Sequence, residues 1–206
     1  MVAIIDYGVG NLFSLCSSLK SIGVDAVITG DFDAIKSADR LILPGVGAFA
    51  DAYKKLEESG LDKLIITEAK AGKPLLGICL GMQLLFEESL EFGRHKGLGL
   101  IKGSVVPMKG RIPENLNIPH MGWNRLNFKN HTPIFKYINN GDFVYFVHSF
   151  YADGCDSAVT ATAEYGIELT ASVQNGNVFG CQFHPEKSGE TGLSILKAFC
   201  EEGEIL

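Results

Sequence analysis

Residues 74–86 read PLLGICLGMQLLF, an apolar run that passes into a helical pattern through a cysteine flanked by glycines. The spacing of Gly77, Cys79 and Gly81 is the cysteine counterpart of G-x-S-x-G, the tight strand-to-helix turn that presents a nucleophile. Glycines are needed there because the turn strains the nucleophile's backbone and brings neighbouring chain close. The helix that follows is expected to point free N–H groups at the Cys79 sulfur, which favours a thiolate and supplies donors for an oxyanion.

The residues before this segment alternate between short apolar runs and helical spacings. Strands are predicted at 2–5, 24–29, 40–43 and 74–78, and helices at 12–22, 32–38, 48–59 and 61–71. Continuous apolar strands that alternate with helices indicate a parallel sheet covered on both faces. The first half therefore predicts an α/β fold.

After residue 86 the pattern changes to alternating strands interrupted by Gly, Pro and Asn. Asn175-Gly176 is a strong hairpin signal, and apolar residues at helical spacing predict a closing helix over residues 189–202. The prediction is a mostly parallel sheet with an antiparallel extension in the second half. Because no repeat, low-complexity tract or linker interrupts the pattern, residues 1–206 are interpreted as one domain.

Composition narrows the class of partner. The 206 residues carry 18 Lys+Arg and 24 Asp+Glu, a net charge of −6, and contain no basic cluster. Such a protein is not expected to bind nucleic acid or a membrane surface. The N-terminal apolar run is short and has no basic region before it, so we expect neither a signal peptide nor a membrane span, and predict a cytoplasmic protein.

A cysteine nucleophile needs a general acid–base, and the best candidate is His184. Pro185 favours an extended backbone at His184, and residues i and i+2 of an extended chain project to the same side. Glu186 would then hold the imidazole tautomer that leaves the other nitrogen free for Cys79. His148 follows the apolar run 143–147, where it fits either a site-lining or a packed residue.

The remaining polar candidates are weaker. His95 and His131 lie in polar, turn-like surroundings and are expected at the surface. No two histidines stand at metal-ligand spacing, and the five cysteines are scattered with no C-x-x-C pair, a pattern typical of free thiols. We therefore predict no metal site and no cofactor.

Two glycine-rich turns follow early strands. Gly8-Val-Gly10 begins like a dinucleotide fingerprint, but Phe13 stands where the third glycine belongs, which argues against nucleotide binding. Pro44-Gly-Val-Gly47 follows the third strand. Its backbone N–H groups either face the Cys79 sulfur at the carboxyl edge of the sheet, or belong to a simple tight turn.

These residues together resemble class I glutamine amidotransferase domains over nearly the whole chain. The similarity is carried by Cys79, His184 and Glu186 in that order and by the turn Pro44-Gly-Val-Gly47. It implies a flavodoxin-like doubly wound sheet and a glutaminase in which Cys79 attacks the glutamine carboxamide. His184 protonates the departing ammonia, and water then hydrolyses a glutamyl thioester.

The same resemblance implies further roles. The N–H of Leu80 and an N–H from Val46 or Gly47 would stabilise the oxyanion. Gln83 would hold the amino-acid end of the substrate, with the backbone of Ser149 and Phe150 on the other side. Phe150 stands where tyrosine is expected, so one hydroxyl contact of the family is missing here.

Three segments narrow the resemblance to glutaminase subunits of imidazole glycerol phosphate synthase: 6-DYGVGN-11, 119-PHMGWN-124 and 183-FHPEKS-188. In that family ammonia passes to a (β/α)8-barrel cyclase, which forms imidazole glycerol phosphate and aminoimidazole carboxamide ribonucleotide in histidine biosynthesis. The cyclase is expected as a separate chain, giving a heterodimer, because a barrel alone takes about 250 residues. The resemblance assigns four residues to the partner face: Asn11, His120, Trp123 and Asn124.

Other interpretations of the residues stay open at this point. Without the resemblance, core packing is favoured for Trp123, and Cys79 is either a nucleophile or a buried structural thiol. The chain could feed ammonia to another synthase, such as the pyridoxal phosphate or anthranilate systems, although 119-PHMGWN-124 argues against this. A cysteine peptidase of the same topology and a non-catalytic binding module are the remaining alternatives. Peptide substrates and thiol reactivity would separate them from a glutaminase.

Overall fold

The computed structural model describes residues 1–201, which form fourteen strands and six α-helices. The first half alternates between the two types of element. Its elements are β1 (Val2–Ile5), α1 (Leu12–Ser21), β2 (Ala26–Thr29), α2 (Phe32–Ser37), β3 (Arg40–Gly45), α3 (Phe49–Ser59), α4 (Leu61–Lys70), β4 (Leu75–Cys79) and α5 (Leu80–Leu84).

The second half is mostly strand and ends in one helix. Its elements are β5 (Phe86–Ser89), β6 (His95–Lys96), β7 (Ile101–Pro107), β8 (His120–Arg125), β9 (Asn127–Phe128), β10 (Phe143–His148), β11 (Phe150–Asp153), β12 (Val159–Glu164), β13 (Glu168–Asn175), β14 (Val178–Cys181) and α6 (Gly189–Glu201).

The main sheet has eight strands in the order β2-β1-β3-β4-β14-β13-β12-β9. The first five are parallel, and their order along the chain is 2-1-3-4-5, the flavodoxin-like doubly wound topology. The last three strands add an antiparallel extension. The predicted sheet and its extension are thereby confirmed.

Each face of this sheet buries its own hydrophobic cluster because successive side chains of a strand point to opposite faces. On one face, Ile5 and Leu43 pack with residues of α3 and α4. On the other, Ile4 and Ile42 pack with residues of α1 and α6. All four of these strand residues are fully buried, which explains why β1 and β3 are continuous apolar runs.

The second half also forms two smaller sheets, which the sequence pattern did not predict individually. One has the order β11-β7-β5-β6, and the other pairs β10 with β8. Between β10 and β11 the chain passes from one small sheet to the other through Ser149. This crossing brings His148, Ser149 and Phe150 to the carboxyl edge of the main sheet.

Several predicted boundaries were wrong by a few residues, for local reasons. β2 begins at Ala26 because the Val24 N–H donates to the Leu19 carbonyl and completes the end of α1. β3 continues through Pro44 and Gly45, which pair with β4. The helix after Cys79 has only five residues, so any help it gives to the sulfur comes from its first N–H groups more than from a helix dipole.

The hairpin and the closing helix predicted in the second half are both present, with slightly different bounds. The hairpin is present, but its two turn residues are Gly176 and Asn177, since Asn175 already pairs with Val178. The closing helix occupies Gly189–Glu201, and Glu202 lies outside the described residues. No helix among residues 1–201 is long and apolar enough to span a bilayer.

Candidate active site

Cys79 is the last residue of β4 and adopts a backbone conformation that is rare for a residue with a side chain. Its φ is 54° and its ψ is −112°. Such conformations cost about 1–3 kcal/mol and persist where the surrounding structure enforces them. A Cβ added to Gly81 would lie 1.8 Å from the Leu43 carbonyl oxygen, and one added to Gly77 would lie 2.7 Å from the Gly81 oxygen. The two glycines are therefore required by close backbone packing around the turn.

His184 and Glu186 lie beside this turn because β14 is the neighbour of β4 in the sheet. The His184 Nδ1 is 2.8 Å from the Glu186 Oε1, and both side chains are almost fully buried. His184 lines the same cavity as Cys79, and its ring is close enough for the sulfur to influence its pKa. The structure thus brings together the three residues expected to form the catalytic unit.

The route by which Glu186 reaches His184 differs from the prediction. His184 is extended, but Pro185–Lys187 form a short 3₁₀ turn, so the two residues do not share one face of an extended strand. Pro185 begins that turn, where its fixed φ is favourable and its missing N–H is not needed. The Ser188 hydroxyl donates to the His184 carbonyl at 2.6 Å and closes the segment.

The charge balance around His184 favours a protonated imidazole. Burial alone would lower the pKa of His184, but the hydrogen bonds to Cys79 and Glu186, and the attraction to their charges, outweigh it and raise the pKa to about 9. Tyr7 faces the same sulfur, and burial together with Cys79 holds the pKa of its hydroxyl above the usual range. The surroundings of His184 therefore keep a proton on its ring at neutral pH.

The turn after β3 lies across the sheet edge from Cys79. Its start is fixed, because the Tyr7 hydroxyl donates to the Pro44 carbonyl at 2.8 Å. A Cβ on Gly45 would be 2.8 Å from that hydroxyl. Gly47 differs, since its φ is 95° and no atom lies within 4 Å of where its Cβ would stand. Conformational freedom is therefore confined to the Val46–Gly47 end of the turn.

A cavity of about 700 Å³ opens at this edge, within the range of small-molecule sites. It contains every predicted catalytic, oxyanion and substrate residue except Glu186: Val46, Gly47, Cys79, Leu80, Gln83, Ser149, Phe150 and His184. It also contains His148, which the sequence left undecided, and residues that sequence reasoning did not select: Leu90, Glu91, Phe92, Pro107, Lys109, Ile118, Pro119 and Val147. These residues lie in strands of the small sheets or within three residues of one, and no local pattern predicts how those strands pair.

Gln83 is buried, and its amide nitrogen is already engaged inside the protein. Its Nε2 donates to the Phe150 carbonyl at 3.2 Å and to the Gln182 Oε1 at 2.9 Å. The Phe150 carbonyl also lies 2.8 Å from the Nδ1 of His148. The Ser149 carbonyl accepts from the Met108 N–H at 3.0 Å. The backbone on this side of the cavity is therefore rigidly held.

His148 is the site residue that the sequence left undecided. It is buried in the cavity wall, and its Nε2 lies 3.0 Å from the Nδ1 of His120. Burial lowers the pKa of His148 to about 3 and that of His120 to about 4. Both rings are neutral, so His148 donates from Nδ1 to the Phe150 carbonyl and accepts from His120.

The four residues assigned to a partner face are arranged unequally. Trp123 is 54% exposed, so the core-packing interpretation is wrong for it. Asn124 is half-buried and donates to the Glu164 carbonyl at 2.8 Å, while Asn11 is exposed at the start of α1. His120 is only 3% exposed, because its ring stacks between Phe146 and Tyr165. The prediction that His120 faces a partner is therefore wrong for its side chain, which is not exposed.

The two histidines predicted at the surface differ in exposure. His131 is exposed, and His95 is half-buried. The five cysteines are unpaired, and four of them are buried. Among residues 1–201 no three His, Cys, Asp or Glu side chains converge as they would around a metal ion.

The family model for glutamine amidotransferase class-I matches residues 3–202. The chain belongs to the class I glutamine amidotransferases. Solved structures agree at the level of the fold: a glutamine amidotransferase superposes with a TM-score of 0.74 at 19% identity, covering 97% of this chain and 99% of that one. PurLQS from Thermotoga maritima superposes with a TM-score of 0.73 at 23% identity, covering 96% of each chain.

Much closer relatives of this amidotransferase carry the name imidazole glycerol phosphate synthase subunit HisH. The protein from Caldanaerobacter subterraneus subsp. tengcongensis is 54% identical over 202 residues, which cover 98% of each chain. The Bacillus subtilis protein is 49% identical, covering 97% of this chain and 95% of the relative. That from Wolinella succinogenes is 48% identical, covering 98% and 100%.

Proposed function

We propose that this chain is the glutaminase subunit of an imidazole glycerol phosphate synthase. In this proposal it hydrolyses L-glutamine to glutamate and ammonia in the cytoplasm, with no cofactor. The observation that carries the proposal is that Cys79, on its strained turn, lines one cavity with the buried His184–Glu186 pair. The 48–54% identity to subunits of that synthase supports the choice of pathway.

The first half-reaction uses the ion pair of the resting site. The Cys79 thiolate attacks the carboxamide carbon of glutamine, and the carbonyl oxygen becomes an oxyanion. The Leu80 N–H and an N–H from Val46 or Gly47 stabilise that charge. His184 then gives its proton to the nitrogen, the C–N bond breaks, and ammonia leaves a glutamyl thioester on Cys79.

The second half-reaction restores the site. Neutral His184 takes a proton from water, and the resulting hydroxide adds to the thioester carbon. The C–S bond breaks, glutamate leaves, and Cys79 and His184 are again thiolate and imidazolium. Glu186 keeps the imidazole in one orientation throughout, because its carboxylate binds Nδ1 and leaves Nε2 to face the substrate.

The remaining predicted residues hold the substrate. The Gln83 amide nitrogen is engaged by Phe150 and Gln182, so its Oε1 is the atom available to accept a hydrogen bond from the glutamine ammonium group. Ser149 and Phe150 line the cavity next to Gln83, whose amide donates to the Phe150 carbonyl. Phenylalanine at position 150 provides no side-chain hydroxyl there.

Ammonia is passed to a separate (β/α)8-barrel cyclase subunit, with which the chain forms a heterodimer. Trp123 is the exposed aromatic residue of the partner face and lies against Tyr145, with 6.1 Å between ring centroids. Exposed tryptophans are frequent anchors at the centre of interfaces. Asn11 and Asn124 are the other partly or fully exposed residues assigned to this face.

The proposal is tested with Cys79→Ala in the complex with the cyclase. The variant is expected to release no glutamate, because no thioester forms. It keeps ammonia-dependent synthesis of imidazole glycerol phosphate, since the cyclase needs only ammonia. Glutamine hydrolysis by this variant at the wild-type rate would refute the role of Cys79.

The partner face is tested by titrating the cyclase with Trp123→Ala. Loss of an aromatic anchor costs about 2 kcal/mol or more, so the Kd is expected to rise about 30-fold. Phe32→Ala is the matched control, because Phe32 is a similarly exposed aromatic residue at the start of α2. Equal Kd values for the two variants would remove Trp123 from the interface.

A further inference from the structure

Gln182 is a fully buried amide beside the Cys79 sulfur. It immediately follows β14, and its backbone N–H donates to the Ala171 carbonyl at 2.9 Å, which ties it to the main sheet. Its side-chain Nε2 lies 3.7 Å from the Cys79 Sγ. A buried amide that lacks partners is costly, so the groups that satisfy this one are informative.

The orientation of the Gln182 amide follows from its neighbours. The Phe150 carbonyl can only accept, so the Gln83 atom that faces it must be the nitrogen. The same nitrogen lies 2.9 Å from Gln182, which therefore presents its oxygen to Gln83. The Gln182 NH₂ group is left facing the sulfur.

We propose that Gln182 is a positioning residue of this glutaminase, which donates an amide hydrogen to the Cys79 thiolate while its oxygen accepts from the Gln83 amide. This inference rests on the proposed function, since it assumes that Cys79 is the nucleophile. The sequence pattern assigns no role to Gln182, which directly precedes Phe183 and His184.

The contacts of the sulfur explain how Gln182 acts. A protonated Cys79 can donate to the Val147 carbonyl, which is 3.9 Å away. A thiolate cannot donate, and instead accepts from the Gln182 amide, while a protonated His184 ring attracts its charge. The two protonation states thus have different partners, and the amide favours the thiolate because a hydrogen bond to a charged group is the stronger one.

Other groups around Cys79 do not replace this donor. The titratable side chains that face the sulfur are His184, Tyr7 and Cys181, with Glu186 behind His184. The Tyr7 hydroxyl donates to the Pro44 carbonyl, and the Cys181 thiol to the Gly77 carbonyl at 3.8 Å. Gln182 and His184 are therefore the side chains that stabilise a negative sulfur.

The hydrogen bonds of Gln83 predict how replacement of Gln182 affects kcat and KM separately. Gln83 keeps its bond to the Phe150 carbonyl when Gln182 is changed, so substrate binding is largely retained. The change instead removes a hydrogen bond to the Cys79 thiolate. Such a bond to a charged group favours the charged form by a factor of about 10 or more. We expect kcat for glutamine to fall about 10-fold with KM changed less than about 3-fold.

The test is Gln182→Met in the full chain, which keeps side-chain length and removes the donor. The rate of Cys79 alkylation by iodoacetamide is measured against pH by mass spectrometry of the Cys79 peptide. The midpoint is expected to rise by about one pH unit, because a factor of 10 in thiolate stabilisation equals one unit. Gln174→Met is the control, since the Gln174 amide on neighbouring β13 donates only to the Gly176 carbonyl at 3.0 Å.

Gln182→Asn is the second variant, used if the methionine protein does not fold. It keeps an amide but withdraws it from the sulfur by one methylene, and the same upward shift is expected. An unchanged midpoint in a folded Gln182 variant overturns the proposal. If Cys79→Ala is inactive in the same assays, that failure concerns Gln182 alone, whereas an active Cys79→Ala would overturn the proposed function itself.

Discussion

Two buried histidine centres border the same cavity and have opposite charge preferences. His184 lies between Cys79 and the Glu186 carboxylate, and its pKa is raised to about 9. His148 lies between the His120 ring and the Phe150 carbonyl, and burial lowers its pKa to about 3. Both side chains are nearly inaccessible to solvent. The charge of the neighbouring groups, and not burial itself, therefore decides which histidine holds a proton.

The two centres therefore have different tasks in one site. His184 can carry a proton at neutral pH and exchange it with the substrate. His148 cannot, and its fixed tautomer makes it a rigid donor to the Phe150 carbonyl. That carbonyl also orients Gln83. In the proposed mechanism, the His148 centre therefore shapes the substrate side of the cavity and the His184 centre transfers the protons.

The largest expected effect separates the two histidines by activity. His184→Ala removes the general acid–base and should lower glutamine turnover in the complex by about 10²–10⁴-fold. Glu186→Gln should lose less, because the imidazole remains but is poorly oriented. His148→Gln should lose the least turnover and raise KM, since it only loosens the Phe150 carbonyl.

The measurement is glutamate release at saturating and limiting glutamine, with ammonia-dependent synthesis as the control for folding and assembly. Wild-type turnover by His184→Ala would refute the assignment. Equal kcat losses for His184→Ala and His148→Gln would remove the distinction between the two centres.

A smaller effect concerns the oxyanion turn on the charged side of the cavity. The Val46–Gly47 peptide can rotate between presenting an N–H and presenting a carbonyl, because Gly47 accepts a positive φ without steric contact. One oxyanion donor contributes roughly 2.7–4 kcal/mol, or about 10²–10³-fold in turnover. We expect the isolated chain to be slow, and the complex with a cyclase ligand to be faster by up to that factor.

Control of the glutaminase rate by rotation of this peptide is checked by measuring glutamate release from the isolated chain, from the complex, and from the complex with cyclase ligand. Equal rates in all three would mean that the turn is a fixed oxyanion hole. That outcome would leave the roles of Cys79 and His184 untouched.

The smallest effect is on stability, and it has opposite signs at the two centres. The raised pKa of His184 contributes stability that is present below about pH 6.5 and is lost as the pH rises through about 9. For His148 and His120 the lowered pKa values mean that the unfolded chain binds protons first, so stability falls as the pH drops from about 6.5 toward 4 and 3. Each group contributes a slope of at most about 1.4 kcal/mol per pH unit.

Urea unfolding between about pH 5 and pH 9 measures both slopes. Glu186→Gln should flatten the alkaline slope, because it removes one of the groups that raise the His184 pKa, and should leave the acid slope unchanged. An acid slope that changes with Glu186, or an alkaline slope that does not, would contradict the separation of the two centres.

The sequence predicted the charged centre better than the neutral one, for a physical reason. Cys79 lies in a local strand-to-helix turn whose glycines are required by backbone packing, so its signal is short-range. The pairing of His184 with Glu186 is also local, although its 3₁₀ geometry was not foreseen. By contrast, His148 meets His120 only because β10 pairs with β8 in register, a long-range contact.

The same distinction applies to the fold. The alternating apolar runs of the first half predicted the parallel strands, since each strand is buried on both faces. The two small sheets depend on pairings between distant segments, such as Phe150 with Pro107, and no periodicity within either segment specifies them. The buried position of His120 followed from its stack on Phe146 and Tyr165, which its segment alone does not indicate.

The central claim is that Cys79 is the covalent nucleophile of a glutaminase, and its intermediate can be observed directly. The complex is mixed with glutamine, quenched with acid during turnover and digested, and the cysteine peptides are analysed by mass spectrometry. The account predicts a glutamyl thioester on the Cys79 peptide, which hydroxylamine removes and which is absent from Cys79→Ser. Full turnover with a glutamyl adduct on any of the other four cysteines, and none on Cys79, would contradict it.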